Sequence, residues 1–151
     1  MIKIICLGKL KEDYLKKGID EYLKRISKYQ KIEIVELEDC GINEIKTALK
    51  KEKEEILKVL NKKDYIITLD LKGNEITSIE FAEKIANTFI INSNITFIIG
   101  GSYGIDEEIK KLANYSISFS KMTFPHQLFR LILLEQIYRA FKINNNEEYH
   151  K

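Results

Sequence analysis

Short apolar runs alternate with stretches of helical periodicity along this whole chain, and that alternation restricts the fold more than any other feature. Residues 1–7 are apolar and β-branched, as a strand requires. Residues 11–27 carry Leu15, Ile19, Tyr22, Leu23 and Ile26 at helical spacing. Over 31–37, Ile32, Ile34 and Leu37 alternate with charges, which predicts a second strand with one wetter face. Ile42, Ile45, Leu49, Ile56 and Leu60 mark one side of a long helix whose other side is rich in Lys and Glu. A third strand is predicted over 64–70, then a turn through Lys72-Gly73-Asn74 and a helix near 78–90. Residues 95–99 form a fourth, almost wholly apolar strand. A glycine-rich loop over 100–104, a short helix from Asp106, a fifth strand over 115–119 and a last helix over 126–142 complete the order.

Strands alternating with helices predict a single α/β domain over residues 1–151, with a mostly parallel sheet and helices on both faces. Ligands of such sheets bind beyond the C-terminal ends of the strands. The loops that start at Leu69, Gly100 and Phe119 are therefore the places to look for chemistry.

Composition narrows the function classes. Hydrophobic residues make up 44% and charged residues 32% of the chain, which suits a soluble globular protein. No apolar run approaches the roughly 18 residues of a membrane span. The N-terminus lacks the pattern of a signal peptide, so a cytoplasmic protein is expected. Cys6 and Cys40 lie far apart, with no Cys or His at metal-ligand spacing. Two reduced thiols and no metal follow. The formal charge of +2 is nearly neutral. An RNA site would have to be a local patch, or another component would have to help hold the RNA.

Three segments can carry chemistry. In Gly100-Gly101-Ser102-Tyr103-Gly104 the glycines permit a tight turn and close approach to a ligand. Asp106, Glu107 and Glu108 then fill the start of the next helix, where carboxylates repel a phosphate. The loop suits a ligand without phosphates, or is simply a structural turn. In Ser120-Lys121-Met122-Thr123-Phe124-Pro125-His126 the chain's one proline stiffens a helix entrance. His126 there is a scaffold group in preference to a base. The helix over 126–142 is apolar nearly all round, which predicts burial on more than one side and packing against a second subunit. Arg130 and Arg139 interrupt it. Arg139 can pair with Glu135 at i,i+4, and either arginine can face an RNA phosphate. The polar tail from Asn144 reads as a frayed end, with Tyr149, His150 and Lys151 as an unusual finish.

Taken together these segments resemble the large-subunit ribosomal RNA methyltransferase H family of the SPOUT superfamily. The likeness spans essentially the whole chain. It is carried by Leu69-Asp70 with Gly73, residues 97–101 with Gly104, residues 118–126, Glu135-Gln136-Ile137-Tyr138-Arg139-Ala140, and the terminal Tyr149-His150-Lys151. The resemblance implies a C-terminal trefoil knot, a homodimer, and S-adenosylmethionine as methyl donor with no metal. It implies N3-methylation of a pseudouridine in large-subunit rRNA on the assembled ribosome. By position it assigns Leu69, Gly100, Gly101, Gly104, Phe119, Ser120, Lys121, Met122, Thr123 and Phe124 to the cofactor. A branched side chain at Gly100 is then expected to intrude on the adenosyl group. Arg130, Arg139 and Lys151 are expected to touch RNA. Glu148 stands where the family often has proline, which implies a looser tail.

A pseudouridine N3 must lose its proton to become a good nucleophile. An imidazole's ordinary pKa suits a base near neutral pH, so His150 is the candidate base, and Tyr149 is expected to stack on the target base. Two other classes compete: a non-catalytic RNA- or ribosome-binding protein on an α/β scaffold, and a nucleotide-dependent enzyme using the glycine loop.

Overall fold

The computed structural model describes all 151 residues. Five strands form one sheet in the order β2-β1-β4-β3-β5. They are β1 (Ile2–Leu7), β2 (Ile32–Leu37), β3 (Tyr65–Glu75), β4 (Ile95–Ile99) and β5 (Tyr115–Ser118). Every strand pairing is parallel, so the expectation of a mostly parallel sheet sharpens to a wholly parallel one. The helices are α1 (Asp13–Ile26), α2 (Ile45–Val59), α3 (Ser78–Ile91), α4 (Glu107–Leu112) and α5 (His126–Asn144).

Strand side chains alternate between two cores, as the period of two dictates. Ile2, Ile4 and Cys6 of β1, Phe97 of β4 and Ile67 of β3 face a large core shared with α1, α3 and α5. Ile5, Ile66 and Ile98 face a smaller one shared with α2 and α4. Helices thus cover both faces, three on one and two on the other. This two-sided burial explains why β1 and β4 read as continuous apolar runs. α3 begins with a full capping box: the Thr77 hydroxyl accepts from Glu80 N–H, and the Glu80 carboxylate accepts from Thr77 N–H. No helix is long and apolar enough to cross a membrane.

The predicted turn at Lys72-Gly73-Asn74 is instead a bulge within β3. Ile117 of β5 lies opposite both Leu69 and Asn74, so the residues between them loop out. Gly73 permits this: a Cβ there would stand 2.6 Å from the Ile117 carbonyl carbon. The extra pairing, Asn74 with Ile117 and Glu75 with Ser118, overrides the local turn signal.

α5 packs on the sheet between α1 and α3, and its buried side chains include Leu133, Leu134, Ile137 and Ala140. Its wide apolar surface is therefore covered in large part by the chain itself.

Candidate functional site

The adjacent strands β4, β3 and β5 deliver three loops to one end of the sheet, where they enclose a cleft of about 270 Å³. Leu69 to Leu71 come from β3, residues 99–105 except Tyr103 from β4 and its loop, and residues 117–126 except Lys121 from β5 and the entry to α5. The wall is apolar, with Ile99, Ile117, Phe119 and Phe129 among its members. The rings of Phe119 and Phe129 lie 5.0 Å apart, and Phe124 stacks near Phe129 at 6.0 Å. At the rim, Asp70 pairs with Lys110 at 2.9 Å.

The glycine loop is a tight turn closed by Gly104 N–H donating to the Gly101 carbonyl. Gly100 is forced by close packing. A Cβ there would lie 2.4 Å from the Gly104 oxygen and 2.8 Å from the Ile105 side chain. The intrusion expected of a larger residue at Gly100 therefore falls on the protein's own backbone before it reaches any ligand. The start of α4 is already occupied, because the Asp106 carboxylate accepts from Glu108 N–H at 2.8 Å. With two more carboxylates in its first turn, that helix end repels phosphate, as expected from the sequence. The following loop is tied to itself: Ser118 donates to the Ser120 carbonyl, and Met122 N–H donates to Ser120 Oγ. The His126 ring lies close to Gly8, whose added Cβ would stand 3.0 Å from Nε2.

The tail is docked. Asn146 adopts a left-handed backbone (φ 54°) that ends α5, with Glu147 N–H returning to the Lys142 carbonyl. Glu147 accepts from Tyr29 at 2.8 Å and pairs with Lys142 at 2.7 Å. Tyr149 lies 4.8 Å from the Tyr138 ring, beneath the Arg139 guanidinium, and donates to Glu135 at 3.0 Å. Burial, with these bonds, raises the Tyr149 phenol well above its usual pKa. Arg139 donates to His150 Nδ1 at 3.1 Å. A guanidinium can only donate, so this places the ring's own N–H on Nε2.

The family profile described as "Predicted SPOUT methyltransferase" matches residues 1–150. The chain is 55% identical to ribosomal RNA large subunit methyltransferase H 1 of Clostridium perfringens, covering 99% of each. It is 49% identical to ribosomal RNA large subunit methyltransferase H of Acetivibrio thermocellus, again covering 99% of each. The chain belongs to this family of SPOUT methyltransferases. Two solved structures share the fold at low identity. A probable methylase family protein from Haemophilus influenzae aligns with a TM-score of 0.56 at 16% identity, over 99% of this chain and 70% of that one. The tRNA (m1G37) methyltransferase of Aquifex aeolicus gives 0.52 at 15%, over 91% and 69%.

Within this methyltransferase, nine of the ten residues assigned by resemblance to the cofactor line this cleft; Lys121 does not. Leu71, Ile105, Ile117 and Phe129 also line it without having been singled out. Leu71 is carried there by the unpredicted bulge, whereas Ile117 and Phe129 look from sequence like ordinary core residues.

Arg130 corrects an expectation. It is wholly buried and does not face RNA. Its guanidinium pairs with Glu36 at 2.6 Å and donates to the Gly8 carbonyl at 3.0 Å, locking α5 to the ends of β1 and β2. Arg139 is engaged by Glu135, Tyr149 and His150, whereas Lys151 is exposed. The frayed and loosened tail is likewise corrected. Glu148 is exposed and unstrained, and its neighbour Glu147 does the anchoring.

Gly100→Ala is expected to reshape the loop at a cost of about 1–3 kcal/mol. With the loop displaced, cofactor affinity should separately fall by roughly 10–100-fold by titration calorimetry, about 1.4–2.8 kcal/mol of binding free energy. Met122→Ala, at an exposed cleft position, should weaken binding less and leave thermal stability unchanged. Unchanged affinity in Gly100→Ala would remove the glycine loop from the site.

Proposed function

We propose that this protein transfers a methyl group from S-adenosylmethionine to N3 of a pseudouridine in large-subunit rRNA, acting on the assembled ribosome in the cytoplasm. The observation that carries the reading is the convergence of three strand-end loops, one of them glycine-rich, on one largely apolar cleft beside an acidic helix start. Such a cleft fits an adenosyl group with a cationic sulfonium and disfavours a phosphate. The residues that would hold the cofactor are Leu69, Gly100, Gly101, Gly104 and the stretch from Phe119 to Phe124, without Lys121. When bound, S-adenosylmethionine supplies an electrophilic methyl group. The names of the Clostridium and Acetivibrio relatives support rRNA as the acceptor. We further infer the trefoil knot of the superfamily in the C-terminal part of the chain.

The protein's own residues position the reactants, and most of the acceleration comes from that. His150 accepts the N3 proton, and Tyr149 and Lys151 engage the RNA. The docked tail cannot do this for its own cleft. His126 at the rim and Arg139 beside the tail are separated by 13 helical residues, about 20 Å. The His150 nitrogen free to take a proton is also the one engaged by Arg139. The tail therefore acts after leaving this dock, at the cleft of a second subunit. A homodimer accounts for the exposed apolar residues Leu71, Met122 and Phe124 around the mouth.

Two measurements test this reading. Calorimetry should give one S-adenosylmethionine per chain, and light scattering should give a dimer at micromolar concentration. A folded protein that ignores S-adenosylmethionine contradicts the enzyme reading, and a stable monomer contradicts the shared site.

A further inference from the structure

Behind the glycine loop, on the α2 side of the sheet, three donor side chains converge that the methyl transfer does not use. Asp39 and Cys40 come from the loop after β2, and Glu52 from the middle of α2. A carboxylate oxygen of each acid and the Cys40 sulfur lie within 4.8 Å of one another. Glu52 is only 3% exposed. Its Oε1 lies 3.9 Å from the Cys40 thiol, and its buried Oε2 has no hydrogen-bond partner. Neighbouring Lys53 turns away to Glu108, so no basic side chain balances Glu52. A buried, partly unpartnered carboxylate with a second carboxylate beside it is costly unless a cation joins them.

One thiolate and two carboxylates form the donor set of a divalent metal of borderline softness. We propose that Asp39, Cys40 and Glu52 bind a divalent cation of the zinc class, with water completing the coordination. Metal–sulfur and metal–oxygen bonds of about 2.3 and 2.1 Å place tetrahedral donors about 3.5 Å apart. The present spread, up to 4.8 Å with Cys40 Sγ and Glu52 Oε1 at 3.9 Å, would contract by small side-chain rotations on binding. The role is structural. The same loop is touched by Tyr103, whose hydroxyl donates to the Asn43 carbonyl at 3.5 Å. A Cβ on Gly101 would stand 3.2 Å from Glu52 Oε1. A metal here clamps residues 39–43 to α2 and backs the glycine loop from behind.

The test uses the full-length protein, stripped with chelator and titrated with Co²⁺. A thiolate-to-cobalt charge-transfer absorption should rise to a plateau at one equivalent, and Zn²⁺ should displace it and raise the melting temperature. Cys40→Ser should abolish the absorption. Glu52→Gln keeps the thiol and the shape, yet should weaken Co²⁺ binding by more than the roughly 10–100-fold that losing an outer-sphere partner costs. No absorption from the wild-type protein would overturn the site. So would an unchanged affinity in Glu52→Gln, which would mean the thiol binds alone, or an absorption that survives Cys40→Ser.

Discussion

Deleting residues 149–151 should leave a folded dimer that binds S-adenosylmethionine normally and methylates ribosomes at least about 100-fold more slowly, the usual contribution of a positioned base. Folding should survive because residues 149–151 add only peripheral contacts: Tyr149 to Glu135, Tyr138 and Arg139, and His150 to Arg139. Cofactor binding should survive because no tail residue lines the cleft. His150→Ala should share the defect and recover in part as pH rises, since higher pH supplies more of the ionised N3 without a base. Tyr149→Ala should instead weaken ribosome engagement, and the loss should not be rescued by pH. Mixing the truncated protein with Gly100→Ala at an S-adenosylmethionine concentration too low to saturate the latter, so that each is strongly impaired alone, should raise activity above the sum of the two if one subunit's tail serves the other's cleft. A truncated enzyme with full activity would make the tail a purely structural clasp and return the search for a base to His126 or the RNA.

Arg130→Met should lower stability by about 3 kcal/mol, the low end for breaking a buried ion pair, because Glu36 keeps some exposure to water. For a domain of this size that is a drop of about 6–12 °C in melting temperature. The substitution strands the Glu36 carboxylate and removes a donor from the Gly8 carbonyl. Ribosome affinity and its salt dependence should not change at temperatures where the variant is folded. An arginine that contacted phosphate would show the opposite: unchanged melting and a shallower salt dependence.

Alternating apolar runs made the five strands and five helices legible, because burial on both faces of a parallel sheet leaves a strong local signal. The bulge in β3 was not legible. Lys72-Gly73-Asn74 looks like a turn, and only the approach of Ile117 shows why Gly73 is needed inside a strand. The cleft loops were legible from resemblance and from their places after strands three, four and five. The Arg139–Glu135 pair was legible from its i,i+4 spacing; the fate of Arg130 was not, since a charge on an apolar helix with no nearby partner gives no sign of whether it meets RNA or a distant part of the chain. Glu36 lies 94 residues away in sequence and meets Arg130 only in the folded protein. Glu52 was hidden for the same reason. On a Lys/Glu-rich helix it looks solvated, and its burial follows from the helix's orientation, not its composition.

Methyl transfer to intact ribosomes can be measured directly. Ribosomes from cells lacking this gene are incubated with the purified protein and isotopically labelled S-adenosylmethionine, and the large-subunit rRNA is digested and mapped by mass spectrometry. One labelled methyl group is expected, carried on N3 of a single pseudouridine and strongly reduced, at limiting S-adenosylmethionine, when the Gly100→Ala protein is used. Intact rRNA without label, or a label on any other nucleotide or position, would contradict the proposed reaction.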